Sequence, residues 1–130
     1  MKKTYFILFL LFFQIPALSS NVHLEKEYQR IWCAKNSGKL EYKLPDSTRV
    51  DCLTQEYAIE FDFAPKWAES VGQSLYYAIC TNRKPAIVLI LENGLKDYKY
   101  LKRLLVIAKL YGITVWTMKP TDIYTDCPSS

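Results

Sequence analysis

The sequence is poor in the residues that most often carry chemistry at neutral pH. Its single histidine, His23, lies near the amino-terminal end. Ser-His-Asp and Cys-His catalysis both need an imidazole held by the fold, so neither is expected. No C-x-x-C links any of the four cysteines, and one histidine does not complete a Cys/His zinc set. Glycine is scarce, at four residues, and none forms a phosphate-cradling loop. Repeats and low-complexity tracts are missing. So is a dominant charge: 17 Lys and Arg face 13 Asp and Glu, a net of +4. Setting aside residues 1–20 removes Lys2 and Lys3, and 15 against 13 leaves +2. Such a balance gives no general electrostatic grip on nucleic acid. The one basic run, "NRKP" (82–85) with "KDYKYLKR" (96–103), reads as a solvated helix face.

What the chain does have begins with its leader. "MKK" is basic, "TYFILFLLFF" is apolar, and Ala17 and Ser19 are small enough for a cleavage site. This pattern predicts a secretory signal peptide over residues 1–20, with an uncleaved anchor as the alternative. Residues 21–130 then form one domain, exported to a periplasm or beyond, with no stable membrane insertion after cleavage. Cys33, Cys52, Cys80 and Cys127 all lie in the exported part. Four cysteines in an oxidising compartment allow three disulfide connectivities. Cys33 with Cys52 is favoured, because the end of a first helix and a core strand approach each other in a compact α/β domain. Free buried thiols at Cys52 and Cys80 are the other reading.

Periodicity gives an alternating order of elements. Residues 22–36 place Leu24, Tyr28, Ile31 and Trp32 at helical spacing, with Asn21 as cap and Gly38 as stop. "KLEYKL" (39–44), "TRVDCL" (48–53) and "YAIEFDF" (57–63) read as three strands, the first two separated by the turn "PDS". Pro65 suits the first turn of a helix that runs to Thr81 and puts Trp67, Val71, Leu75 and Ala78 on one face. "AIVLILE" (86–92) is a continuous apolar run, as expected of a central parallel strand covered on both sides. A helix over 95–112 ends at Gly112, a strand follows over 113–118, and the tail after Pro120 is turn-like. The fold class is therefore α/β, in the order α-β-β-β-α-β-α-β, with a mixed sheet.

Three carboxylates interrupt the strongest strand signals. A two-residue loop at Gln55-Glu56 pairs Thr54 with Tyr57, Asp51 with Glu60 and Arg49 with Asp62. Asp51, Glu60 and Asp62 then share one face, while Ile59, Phe61 and Phe63 fill the core. Facing carboxylates about 5 Å apart repel each other. Two remedies are open: a hard divalent cation such as Mg²⁺ or Mn²⁺ between them, or an ion pair of Arg49 with Asp62.

Asp51 on the second strand, "Glu60-Phe61-Asp62" on the third and Gln73-x-x-x-Tyr77 on the next helix form an ordered set. It resembles the PD-(D/E)XK nuclease superfamily, with its restriction-endonuclease-like αβββαβ core, and the helix element is similar to that of RecB-type nucleases. The resemblance covers roughly residues 22–92 and leaves a C-terminal α-β extension. It implies a hydrolase of nucleic acid phosphodiesters, with Asp51, Glu60 and the Phe61 carbonyl holding Mg²⁺ or Mn²⁺. It departs at Asp62, where the family usually carries a water-orienting lysine. Lys66 then stands as a migrated ammonium group, Asp62 as a third metal ligand, and Gln73 as a support for Glu60 or a phosphate. A nuclease-fold module that has lost hydrolysis but binds nucleic acid or protein is the alternative. An exported structural protein with an Arg49-centred salt network is a third. Glu41 and Glu27 are further acids, and a solvent-facing place on the first strand is expected for Glu41. Tyr77 reads as a packed aromatic.

Overall fold

The computed structural model describes residues 23–124, so the leader, Asn21 and Cys127 lie outside the described residues. The chain is α/β, with a five-stranded mixed sheet in the order β1-β2-β3-β4-β5. Helix α1 (Glu25–Lys35) precedes the meander β1 (Lys39–Lys43), β2 (Arg49–Leu53) and β3 (Tyr57–Phe63). Helix α2 (Trp67–Thr81) leads to β4 (Lys84–Ile90), and α3 (Tyr98–Tyr111) leads to β5 (Thr114–Met118). Strands β1, β2 and β3 are antiparallel neighbours, whereas β3-β4 and β4-β5 are parallel. No helix among the described residues is long and apolar enough to cross a membrane.

Two cores sandwich the sheet. On one face Tyr28 and Cys33 of α1 meet Cys52, Ile59, Phe61 and Val88, with Trp32 and Trp116 packed at the edge. On the other, Leu104 and Ala108 of α3 and Trp67, Val71 and Leu75 of α2 cover Ile87 and Leu89. Strand β4 is thus apolar on both sides, the reason its sequence shows no alternation. Each fully buried aliphatic or aromatic side chain contributes about 1.5–3 kcal/mol.

Several boundaries differ from expectation for local reasons. Strand β4 starts at Lys84 rather than Ala86 and so includes Pro85. Lys84 donates its N–H to Glu56 O of the β3 side, so the missing N–H of Pro85 falls toward β5. Strand β5 pairs with β4 only from Ala86 onward, so no ladder bond is lost. Helix α1 begins at Glu25, where Glu27 accepts the Leu24 N–H at 2.9 Å, instead of at residue 22. Short 3-10 turns at Ala64–Lys66 and Gly94–Asp97 lead into α2 and α3. The tail is not simply turn-like: Thr121–Tyr124 forms a one-turn helix α4, with Asp122 accepting the Lys119 N–H at 2.7 Å.

Cys33 and Cys52 form a disulfide that ties the last turn of α1 to β2. Cys80 is free and exposed, so neither residue is a free buried thiol. Gly38 is required by this crossing. A β-carbon there would lie 2.3 Å from Cys52 Sγ and 2.6 Å from Cys33 Sγ. Gly38→Ala is therefore expected to destabilise the oxidised protein by about 1–3 kcal/mol, a typical overpacking effect. In a Cys33→Ala/Cys52→Ala background most of that loss should vanish. Urea denaturation of the four proteins measures the coupling, and equal losses in both backgrounds would rule the sulfur contact out as the cause.

Candidate functional site

The acids gather where β2 leaves β3. The hairpin register is the expected one: Cys52 faces Ile59, Leu53 faces Ala58, and Thr54 donates its N–H to Tyr57 O. Asp51 is the next residue outward, opposite Glu60. At this point the ladder stops being backbone to backbone. Asp51 Oδ2 accepts the Phe61 N–H at 2.8 Å, so a carboxylate takes the position of a carbonyl. On the other side of β2, the β1 pairing runs from Leu40↔Cys52 to Tyr42↔Val50 and skips the intervening Glu41 opposite Asp51. Glu41 has φ of +50°, a left-handed conformation rare for a side-chain-bearing residue within a strand. Such a conformation costs on the order of 1–2 kcal/mol. Glu41, Asp51 and Glu60 thus form a row across three strands, at a point where β1 is strained and β2 parts from β3.

Burial decides the electrostatics. Glu60 is 5 % exposed and Asp62 4 % exposed, and their β4 neighbours in register are the apolar Ile87 and Leu89. Burial, reinforced by Asp51 and then Asp62, pushes the Glu60 carboxyl up to about 10. Burial also raises Asp51 to about 7, against the lowering effect of the Phe61 N–H. Asp62 is raised to about 7 by burial and by Glu25, against the pull of Lys66. Glu60 Oε2 and Asp62 Oδ1 are buried with no hydrogen-bond partner among the described residues. Unpartnered buried oxygens are uncommon and unfavourable, because they give up water for nothing.

The expected residues do not all stand as anticipated. Asp51 and Glu60 are neighbours, and Asp62 lies two residues along the strand from Glu60. Among the described residues, no group of three His, Cys, Asp or Glu side chains is gathered closely enough to hold a metal ion. Lys66 is exposed at the end of the 3-10 turn, close enough to lower Asp62 and Glu25. Gln73 lies against the Tyr77 hydroxyl, which itself feels Glu60 and Asp51. Tyr77 is buried with Leu44, Val50 and Ala58, a packed aromatic as expected. Arg49 reaches Glu41 at 3.7 Å, and the Arg49–Asp62 pair, the alternative to a cation, is not formed. Because β2 parts from β3 at Asp51, residue 49 is no longer held opposite residue 62. The Arg49–Glu41 pair is more than one-third exposed on both sides and contributes little.

One member of the cluster has no counterpart in the sequence reading. Glu25, in the first turn of α1, is raised by burial and acts on Asp51, Glu60 and Asp62. The signal was its spacing. Glu25, the buried Gln29 and Trp32 lie at i, i+4 and i+7, on the inward side of α1, and Gln29 donates to Glu25 at 3.0 Å. Glu27, the helix acid singled out from sequence, instead caps α1 and lies 3.2 Å from His23 Nδ1.

No protein family, curated protein or solved structure matches the chain. The chemistry of the cluster must therefore be read from its own atoms.

Proposed function

We propose that this chain is an exported, metal-dependent nuclease-like protein whose centre is the Asp51–Glu60 pair. One observation carries the reading: the buried Glu60 carboxyl and the half-buried Asp51 carboxyl are held side by side across a parting of strands, and Glu60 Oε2 has no partner among the described residues. The donor set fits a hard dication, since Mg²⁺ and Mn²⁺ take oxygen ligands, need only one or two carboxylates and retain water. Asp51, Glu60 and the Phe61 carbonyl would hold it. When bound, the ion supplies Lewis-acid activation of a water and neutralises charge on a phosphodiester.

The chain's own residues prepare that site in three ways. The Phe61 N–H fixes Asp51 and keeps it the readier of the pair to ionise. The apolar Ile87 beside Glu60 on β4 limits the water that could screen the Glu60 carboxyl. Lys66, on the rim, supplies the positive charge that the residue at 62 does not, and it faces Asp62 and Glu25 electrostatically. Further support comes from the order of elements: a three-strand antiparallel meander, a helix and a parallel fourth strand match the core that the sequence resemblance implies. The chemistry is hydrolysis, with water adding at phosphorus and a phosphomonoester and an alcohol leaving. Export accords with the disulfide, which persists in oxidising compartments.

A direct test uses the mature chain with Mg²⁺ or Mn²⁺ and labelled single- and double-stranded DNA and RNA. Cleavage is expected, with Asp51→Ala and Glu60→Ala lowering it at least about a hundredfold, as for loss of a group that stabilises transition-state charge. Calorimetry on the same three proteins should show dication uptake only by the parent. Dication uptake without cleavage would identify the inactive, binding form of this fold. Absence of both would remove the metal reading altogether.

A further inference from the structure

Helix α3 presents a second surface that the carboxylate cluster does not use. Leu104 and Ala108 seat it against β4, and its opposite side faces water. At 100° per residue, the outward arc from Leu105 to Arg103 covers roughly 160° of the helix. Along that arc Lys99, Lys102, Arg103 and Lys109 alternate with Leu105, Val106 and Leu110, all of them exposed. Val106 is 71 % exposed, Leu110 74 %, and Leu95 just before the helix 87 %.

The charge on this face is of one sign. Between Asn93 and Thr121 the only acid is Asp97, which is buried and accepts the Asn93 N–H at 2.9 Å. Among the described residues, none of the four α3 cations forms an ion pair. Lys99 and Arg103 lie instead over the Tyr100 ring, at 4.8 and 5.8 Å from its centre.

We propose that the outer face of α3 is a peripheral docking surface for an anionic phospholipid bilayer. Four unpaired cations call for a polyanion, but a nucleic acid backbone gives no return for exposing Val106, Leu110 and Leu95. A bilayer surface satisfies both sets. Its phosphates meet the ammonium and guanidinium groups, and the branched side chains enter the boundary between headgroups and acyl chains. The lysine stems can lie along the apolar layer with their charges outward. Attachment through this face is reversible, and it is independent of the proposed hydrolysis.

The test is co-sedimentation of the mature chain with vesicles. Vesicles of phosphatidylcholine mixed with phosphatidylglycerol should bind it, pure phosphatidylcholine vesicles should not, and high salt should release it. Lys102→Gln and Lys109→Gln should each weaken partitioning about fivefold. Val106→Ser/Leu110→Ser should also weaken it severalfold, while circular dichroism shows the fold retained, since both sites are exposed. No binding to the anionic vesicles overturns the proposal. So does binding that ignores the Val106/Leu110 change. Preference for a DNA or RNA oligonucleotide over vesicles, sensitive to the lysines alone, overturns it in favour of nucleic acid.

Discussion

Glu60→Gln is expected to stabilise the protein in neutral and alkaline solution when divalent ions are chelated. The reason is linkage. Unfolded, the Glu60 carboxyl ionises around its ordinary 4.5; folded, it keeps its proton until about 10. In that window the folded state binds one more proton than the unfolded state, so rising pH favours unfolding. The slope is about −1.4 kcal/mol per pH unit for one such group. Asp51 and Asp62, each raised from 3.8 to about 7, steepen it below about pH 7. The stability that these acids lend is complete below their unfolded values and is lost as pH climbs toward the folded ones. Glutamine keeps the shape and never ionises, so the variant escapes the steepest part of the loss. Its advantage at about pH 8 should reach several kcal/mol. Chemical denaturation across pH in chelator measures it, and a parent profile flat from about pH 5 to about pH 8 would show that Glu60 is not held protonated. On the proposed metal reading, added Mg²⁺ or Mn²⁺ should narrow the gap, because only the parent would then gain by binding.

Removing the Cys33–Cys52 bridge is the second change with a large expected effect. The two residues are 19 apart in sequence, so the bond closes a loop that the unfolded chain must otherwise explore. Loop-closure entropy for that length is about 3 kcal/mol. Both cysteines are fully buried beside Phe61 and Ile59, so Cys33→Ala/Cys52→Ala adds a packing loss of about 1–2 kcal/mol. Together these are a large share of the stability of a domain this size. The bridge also anchors one end of α1, whose other end carries Glu25 into the acid cluster. Denaturation midpoints of the double variant and of the parent, with and without reductant, measure the effect. A change below about 1 kcal/mol would mean that α1 is held by packing alone.

Much of this was legible in the chain. A two-residue loop between two alternating runs leaves little freedom of register, so Thr54-Tyr57, Leu53-Ala58 and Cys52-Ile59 followed from the pattern, whereas the Arg49-Asp62 pair did not form. The Cys33–Cys52 bond followed from placing a helix end beside a core strand. The uninterrupted "AIVLILE" fitted a strand covered on both faces, although Pro85 hid its true start. What could not be read were consequences of tertiary geometry. Glu41 adopts φ of +50° within β1, and "KLEYK" holds no turn signal that announces it. Asp51 turns its carboxylate to a backbone N–H where the β2–β3 pairing ends, a place no local signal marks. Arg49 consequently finds Glu41 rather than Asp62. Glu25 joins the cluster through the docking of α1, which helical spacing alone places only as an inward face.

The left-handed residue in β1 has a consequence for how molecules of this protein meet one another. Among the described residues, strand β1 is an outer strand of the sheet, and Leu40 and Tyr42 are both exposed on it. A straight border of that kind offers a ready template on which a second chain can lay a sixth strand. The reversal at Glu41 breaks the regular row of outward-pointing amides after two residues, and Lys39 and Lys43 put a positive charge at each end. The same distortion that adjoins the acid row thus interrupts the template for a sixth strand.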